Sequence, residues 1–225
     1  MGYASLVVLA VVLLLLGRLY YVSLPREGSR RRSQSEPCSL AVFLGSGGHT
    51  SEALIMVSAL DFSRYRPRTY IISEGDALSA RKAHDMEHSK LTTSDTLSYT
   101  VLTIPRARRV HQTLLSTPPT ALYSLLSCIY YVTVLPLLTN KRSTSFAEVL
   151  LLNGPGTCFT LCLAVYLNRL LGLASPRLLY VESFARVQSL SLSGKLLSPL
   201  VDRFVVQWPG LVREWPKALY RGWMV

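Results

Sequence analysis

The chain lacks most of the groups on which small secreted domains and metal proteins depend. Among 225 residues there are four cysteines, Cys38, Cys128, Cys158 and Cys162; none forms a CxxC pair, and no histidine lies at finger spacing from them. This argues against a disulfide framework and a zinc site, and for reduced thiols in a cytosolic compartment. No metal and no cofactor is expected. Charge is scarce at 16% of residues, and acidic charge scarcer still, with 13 Asp and Glu against 24 Lys and Arg, a formal net charge of +11. Such an excess points to anionic partners: phosphates, nucleic acid or a membrane surface. Yet with 49% hydrophobic residues the chain is too apolar for a disordered protein and too thinly charged for a nucleic-acid arm, so a packed core and no nucleic-acid partner are expected.

The N-terminus also lacks something, since no Lys or Arg precedes its apolar run. Gly2 to Gly17 carry no charge, and only Arg18 interrupts the continuation to Val22. A helix of that length crosses ~30 Å of hydrocarbon if Arg18 snorkels toward the headgroups. Without a basic leader or a small-residue cleavage site, the segment reads as an uncleaved anchor and not a signal peptide. Arg18, Arg26, Arg30, Arg31 and Arg32 follow the run, which places the remainder in the cytosol. Residues 1–25 thus form the anchor, 26–38 a basic tether near anionic lipid, and 39–225 the body. A second uncharged stretch, Ala121 to Leu138, contains Pro136, Ser124, Ser127 and Thr133, and reads as a buried or interfacial helix, not a second span.

The body alternates short apolar runs with helical spacing. Strands are predicted at Leu40–Leu44, Thr69–Ser73, Tyr99–Ile104, Glu148–Leu152, Leu178–Val181 and Arg203–Gln207. This alternation implies an α/β fold, a single Rossmann-like parallel-sheet domain, because every parallel crossover needs a helix to cover the sheet. After the first strand comes Gly45-Ser46-Gly47-Gly48-His49-Thr50, with Thr50 or Ser51 placed to cap a helix and Glu52 at its positive end. Glycines let backbone approach a ligand, and a helix N-terminus favours an anion; the plain alternative is a tight turn. No Lys-Ser or Lys-Thr follows, so it is not a Walker loop. Histidine, whose unperturbed pKa lies near neutrality, is the side chain best suited to general-base work, which makes His49 a candidate.

Three further features fall at the same sheet edge. Asn153-Gly154-Pro155-Gly156 follows the fourth strand and opens another helix. Glu182 ends the fifth strand, either to take a hydroxyl proton and orient a sugar or to serve a helix N-terminus. Arg106, Arg108 and Arg109 follow the third strand, as a diphosphate site or a solvated turn. All three tryptophans fall within the last 18 residues, ending in Trp223, Met224 and Val225, an apolar tip suited to a partner surface.

The segments GSGGHTSE, IPRARRVHQT, NGPGT and YVESFARVQSLSLSGKLL followed by DRFVVQWPGL occur in order over about residues 40–225. They resemble the membrane-anchoring subunit of the two-subunit UDP-N-acetylglucosamine transferase of asparagine-linked glycosylation. The resemblance implies the N-terminal, acceptor-side half of a GT-B fold, on the cytosolic face of the endoplasmic reticulum. A soluble catalytic subunit would supply most of the UDP-N-acetylglucosamine site, and the pair would extend dolichyl-diphosphate-N-acetylglucosamine by a second sugar. It further implies acceptor-side roles for Gly45, Ser46, Gly47, Gly48, His49, Glu52, Asn153, Gly154, Pro155, Gly156 and Glu182. A body of about 190 residues holds one Rossmann-like domain, where a GT-B enzyme needs two. No Asp-x-Asp motif supports the other common glycosyltransferase architecture. A related polysaccharide transferase on a prenyl-diphosphate carrier, and a non-enzymatic membrane scaffold, are the alternatives.

Overall fold

The computed structural model describes residues 2–24, 33, 36–90, 98–108, 112–113, 115–139 and 145–225. Most of the basic tether, with Arg26, Arg30, Arg31 and Arg32, lies outside them, as does Arg109. Among the described residues, seven strands form one wholly parallel sheet: β1 (Leu40–Leu44), β2 (Arg68–Ser73), β3 (Tyr99–Ile104), β4 (Val149–Asn153), β5 (Arg177–Val181), β6 (Arg203–Val206) and β7 (Leu219–Tyr220). Their spatial order is β3-β2-β1-β4-β5-β6-β7. The six strands expected from sequence are present with ends shifted by at most one residue; β7, only two residues long, escaped the reading.

The central strands are near-continuous apolar runs because both sheet faces are covered. In β1, Ala41 and Phe43 enter one core while Leu40, Val42 and Leu44 enter the other. Helices α2 (Gly48–Ser58) and α3 (Ala77–Lys90) close the second face. The first is closed by α4 (Thr117–Ile129), α6 (Thr157–Leu170), α7 (Leu192–Leu197) and α8 (Gly210–Glu214), while α5 (Leu135–Leu138), beyond α4, buries none of its residues.

Helix α2 starts earlier than its predicted caps, at Gly48, which puts His49 in its first turn. Thr50 and Ser51 instead bond α3, Thr50 Oγ1 to Ser79 and Ser51 Oγ to Lys82. The apolar stretch around Ala121–Leu138 is helical on one buried face, with a π-helical turn at Tyr130–Val134 between α4 and α5. Pro136 has no N–H to offer the Val132 carbonyl four residues back, and the buried Asn168 amide donates to it at 3.1 Å instead. The opposite face exposes Leu122, Tyr123, Leu126, Tyr130 and Leu138.

Among the described residues, the N-terminal helix α1 (Tyr3–Ser23) and the α4–α5 segment are two helices long and apolar enough to cross a membrane. Arg18 does not reach outward as a snorkelling residue would. Its Nε and Nη2 donate to the Leu170 and Arg169 carbonyls at the end of α6, at 3.0 and 2.8 Å.

Candidate active site

Strand order reverses at β1, where β2 leaves on one side and β4 on the other. The loops after β1 and β4 therefore part in opposite directions, opening a crevice at the carboxyl edge of the sheet. They touch closely at its floor. A Cβ on Gly45 would lie 2.6 Å from the Asn153 backbone oxygen and 2.9 Å from the Gly154 Cα; both are backbone atoms that cannot yield, so only glycine fits. The next residue, Ser46, holds a positive φ of 67°, an unusual state for a serine and one that clusters at functional turns.

His49 Nδ1 lies 2.9 Å from Asn153 Oδ1, while Asn153 Nδ2 donates to Glu52 at 3.1 Å. Because a carboxylate only accepts, Glu52 fixes the amide orientation and turns Oδ1 toward the histidine. A neutral His49 therefore carries its proton on Nδ1 and keeps the lone pair on Nε2, the arrangement a general base needs. Ser183 Oγ, just past β5, donates to the other Glu52 oxygen at 2.8 Å. Three strand ends are thus joined by one polar network. Ser183 went unnoticed in the sequence reading, although it adjoins Glu182.

Glu182 requires a correction. It is 1% exposed and faces inward to α7, not toward the crevice. Its carboxylate accepts from Ser191 N at 3.1 Å, Ser191 Oγ at 3.0 Å and Ser183 N at 3.1 Å. Burial pushes its pKa up, against the lowering effect of these bonds. The helix-partner alternative describes its surroundings.

The turn Asn153–Gly156 opens α6, and the arginine loop lies beside it. Ala107 N donates to Thr157 Oγ1 at 3.3 Å, and Thr120 Oγ1 donates to Ala107 O at 2.9 Å. Arg106 is half-buried and gives Nε to the Glu74 carbonyl; the exposed Arg108 gives Nε and Nη2 to the Gln112 carbonyl. The two described arginines thus stand at the same edge as the glycine turns. Cys158, in the first turn of α6, is fully buried, and that burial pushes its thiol well above the ordinary range.

At the β6 side of this edge Trp208, Trp223 and Phe184 cluster, with ring centroids 5.0 to 6.0 Å apart. Trp208 is half-buried and donates Nε1–H to the Phe184 carbonyl at 2.7 Å, whereas Trp223 is 65% exposed. Met224 and Val225 depart from the expected free tip, for both are half-buried against the second core and Met224 N donates to Gln207 Oε1. Of the three, Trp223 is the residue left standing outward.

A family model described as "Oligosaccharide biosynthesis protein Alg14 like" matches residues 40–224. The chain is 50% identical over 210 residues, 92% of its own length and 90% of the relative's, to the UDP-N-acetylglucosamine transferase subunit ALG14 of Cryptococcus neoformans var. neoformans. It is 40% identical to the subunit so named in Schizosaccharomyces pombe, covering 97% of this chain and 95% of that one. The corresponding values for Mus musculus are 38%, 96% and 94%. Among solved structures it is similar in fold to Acinetobacter baumannii MurG, with a TM-score of 0.51 and 16% identity. That likeness covers 77% of this chain and 42% of the MurG chain.

Proposed function

The chain belongs to the Alg14 family, and from that premise we propose that it is the acceptor-side, membrane-anchoring subunit of a UDP-N-acetylglucosamine transferase. Its relatives bear the name UDP-N-acetylglucosamine transferase subunit ALG14, which supports the transferase part of this reading. The observation that carries the site assignment is the His49–Asn153–Glu52 network at the strand-order switch point. His49 Nε2 takes the proton from the acceptor sugar hydroxyl as its oxygen bonds to the anomeric carbon of the donor. The anomeric carbon–phosphate oxygen bond breaks and UDP leaves. The acceptor is an N-acetylglucosamine on a lipid diphosphate, dolichyl-diphosphate-N-acetylglucosamine, with the diphosphate near Arg106 and Arg108.

A second, soluble subunit supplies the donor site. The described body is one Rossmann-like domain, and its fold corresponds to 42% of the MurG chain. Trp223, projecting at the crevice edge beside Trp208 and Phe184, is the docking point for that subunit. We place α1 across the endoplasmic reticulum membrane with the body in the cytosol, because Arg18, Arg26, Arg30, Arg31 and Arg32 follow the apolar run. The exposed apolar face of α4 and α5 rests in the bilayer interface. The test is assay of the co-purified complex with UDP-N-acetylglucosamine and lipid-diphosphate N-acetylglucosamine. His49→Ala should reduce turnover by ~10²–10⁴ while partner association persists. A fall below tenfold removes the base assignment, and full activity would favour the scaffold alternative.

A further inference from the structure

The last four carbonyls of an α-helix have no partner within it and carry its negative partial charge. At the end of α6 two of these carbonyls, of Arg169 and Leu170, are taken by the guanidinium of Arg18, from an otherwise uncharged helix 150 residues away in sequence. The chain turns aside directly beneath that guanidinium. Gly172 adopts φ +73°, and a Cβ there would lie 3.3 Å from Arg18 Nη2. Val22, one helical turn beyond Arg18 and on the same face, is buried in a helix whose other described side chains are mostly exposed. Together with Leu24 it walls a cavity of about 280 Å³ against Tyr166 and Arg169 of α6. Arg169 is in turn held by Asp202 and the Pro176 carbonyl, so the contact point is part of the core.

We infer that Arg18 is a positioning residue: it clamps the anchor helix to the end of α6 and so sets the pose of the crevice relative to the bilayer. This rests on the membrane reading above. With Arg18 engaged, the uncharged run left for hydrocarbon is Gly2 to Gly17, roughly 24 Å of helix against ~30 Å of hydrocarbon. The body is therefore drawn down against the interface. Released, it would hang from a tether of about 15 residues whose reach is on the order of 50 Å, and its crevice would meet membrane-held acceptors at a much lower effective concentration.

The experiment uses the full chain with its partner subunit in nanodiscs of neutral phospholipid. The variants are Arg18→Met and Arg18→Lys, and the acceptors are a long-chain, bilayer-held lipid diphosphate sugar and a short-chain, water-soluble one. Arg18→Met should raise KM for the bilayer-held acceptor about tenfold, leave kcat unchanged, and leave both parameters unchanged for the soluble acceptor. Arg18→Lys, able to satisfy one carbonyl well, should fall between. Spin labels at Leu14→Cys and Leu196→Cys in a Cys38→Ser background give a readout independent of activity: a narrow distance distribution in the parent, a broad one in Arg18→Met. A narrow distribution and unchanged KM in Arg18→Met, or a broad distribution in the parent, would overturn the clamp. A parent complex inactive on both acceptors would instead overturn the transferase reading and leave the distance test standing.

Discussion

Replacing a helical glycine by alanine ordinarily stabilises a protein by up to ~1 kcal/mol. Gly194, inside α7, should do the opposite. A Cβ there would sit 2.0 Å from Glu182 Oε2 and 3.2 Å from its carboxyl carbon, so the carboxylate must move. It is pinned by the Ser191 amide and hydroxyl and by the Ser183 amide, and Ser191 Oγ also accepts from Gly194 N at 2.9 Å as the cap of α7. Displacing Glu182 orphans at least one buried donor, at about 1–3 kcal/mol, and overpacking adds about 1–3 kcal/mol. Set against the helix gain, the net loss is about 1–5 kcal/mol, which for a body of this size lowers Tm by roughly 2–20 °C. Gly210 opens α8 with nothing within 4 Å of its added Cβ, so Gly210→Ala should be neutral or slightly stabilising. The assay is thermal unfolding in detergent, followed by circular dichroism. In a Glu182→Ala background the Gly194→Ala increment should shrink toward zero, since the obstructing carboxyl is gone. If Gly194→Ala melts at or above the parent, the inward placement of Glu182 is wrong.

Two further outcomes follow from the packing. Arg68→Met should destabilise by about 3–5 kcal/mol, because it leaves Glu87 buried without the guanidinium that binds both its oxygens at 2.6 and 2.7 Å; Arg68→Met with Glu87→Leu should recover most of the loss, both read by chemical denaturation. Trp223→Ala should weaken retention of the partner subunit about 30-fold or more with little change in melting temperature, and unaltered retention would move the contact elsewhere. Truncation at residue 220 is the poorer probe, since it also strips Met224 and Val225 from the second core.

The sheet was legible because its central strands are buried on both faces, and a run such as Leu40–Leu44 between polar turns has few other uses. β7 was not, as two residues leave no period to read. The first turn of α2 was misjudged for a related reason: Thr50 and Ser51 have capping side chains, but their hydroxyls are used across the helix interface with α3, a long-range pairing that local propensity cannot register. Arg18 shows the same limit. In sequence it is a charge near the end of an apolar run, and only the fold brings the last carbonyls of α6 to it.

The crevice was legible at the level of loops, because glycine-rich turns after parallel strands must emerge at one edge. The direction of individual side chains was not. Glu182 and Ser183 occupy successive positions at the end of β5, and successive positions on extended backbone face opposite ways. Ser183 bonds Glu52 in the crevice network; Glu182 bonds the first turn of α7. A single carboxylate at a strand end was therefore the weaker indicator of chemistry than the set Gly45, His49, Glu52 and Asn153, whose spacing brings two strand ends into contact. Gly45 permits the close approach, the approach puts Asn153 within reach of both His49 and Glu52, and Glu52 fixes which histidine nitrogen holds the proton. Which nitrogen of His49 keeps its lone pair is thus determined by a glycine four residues before it in the sequence and an asparagine 104 residues after it.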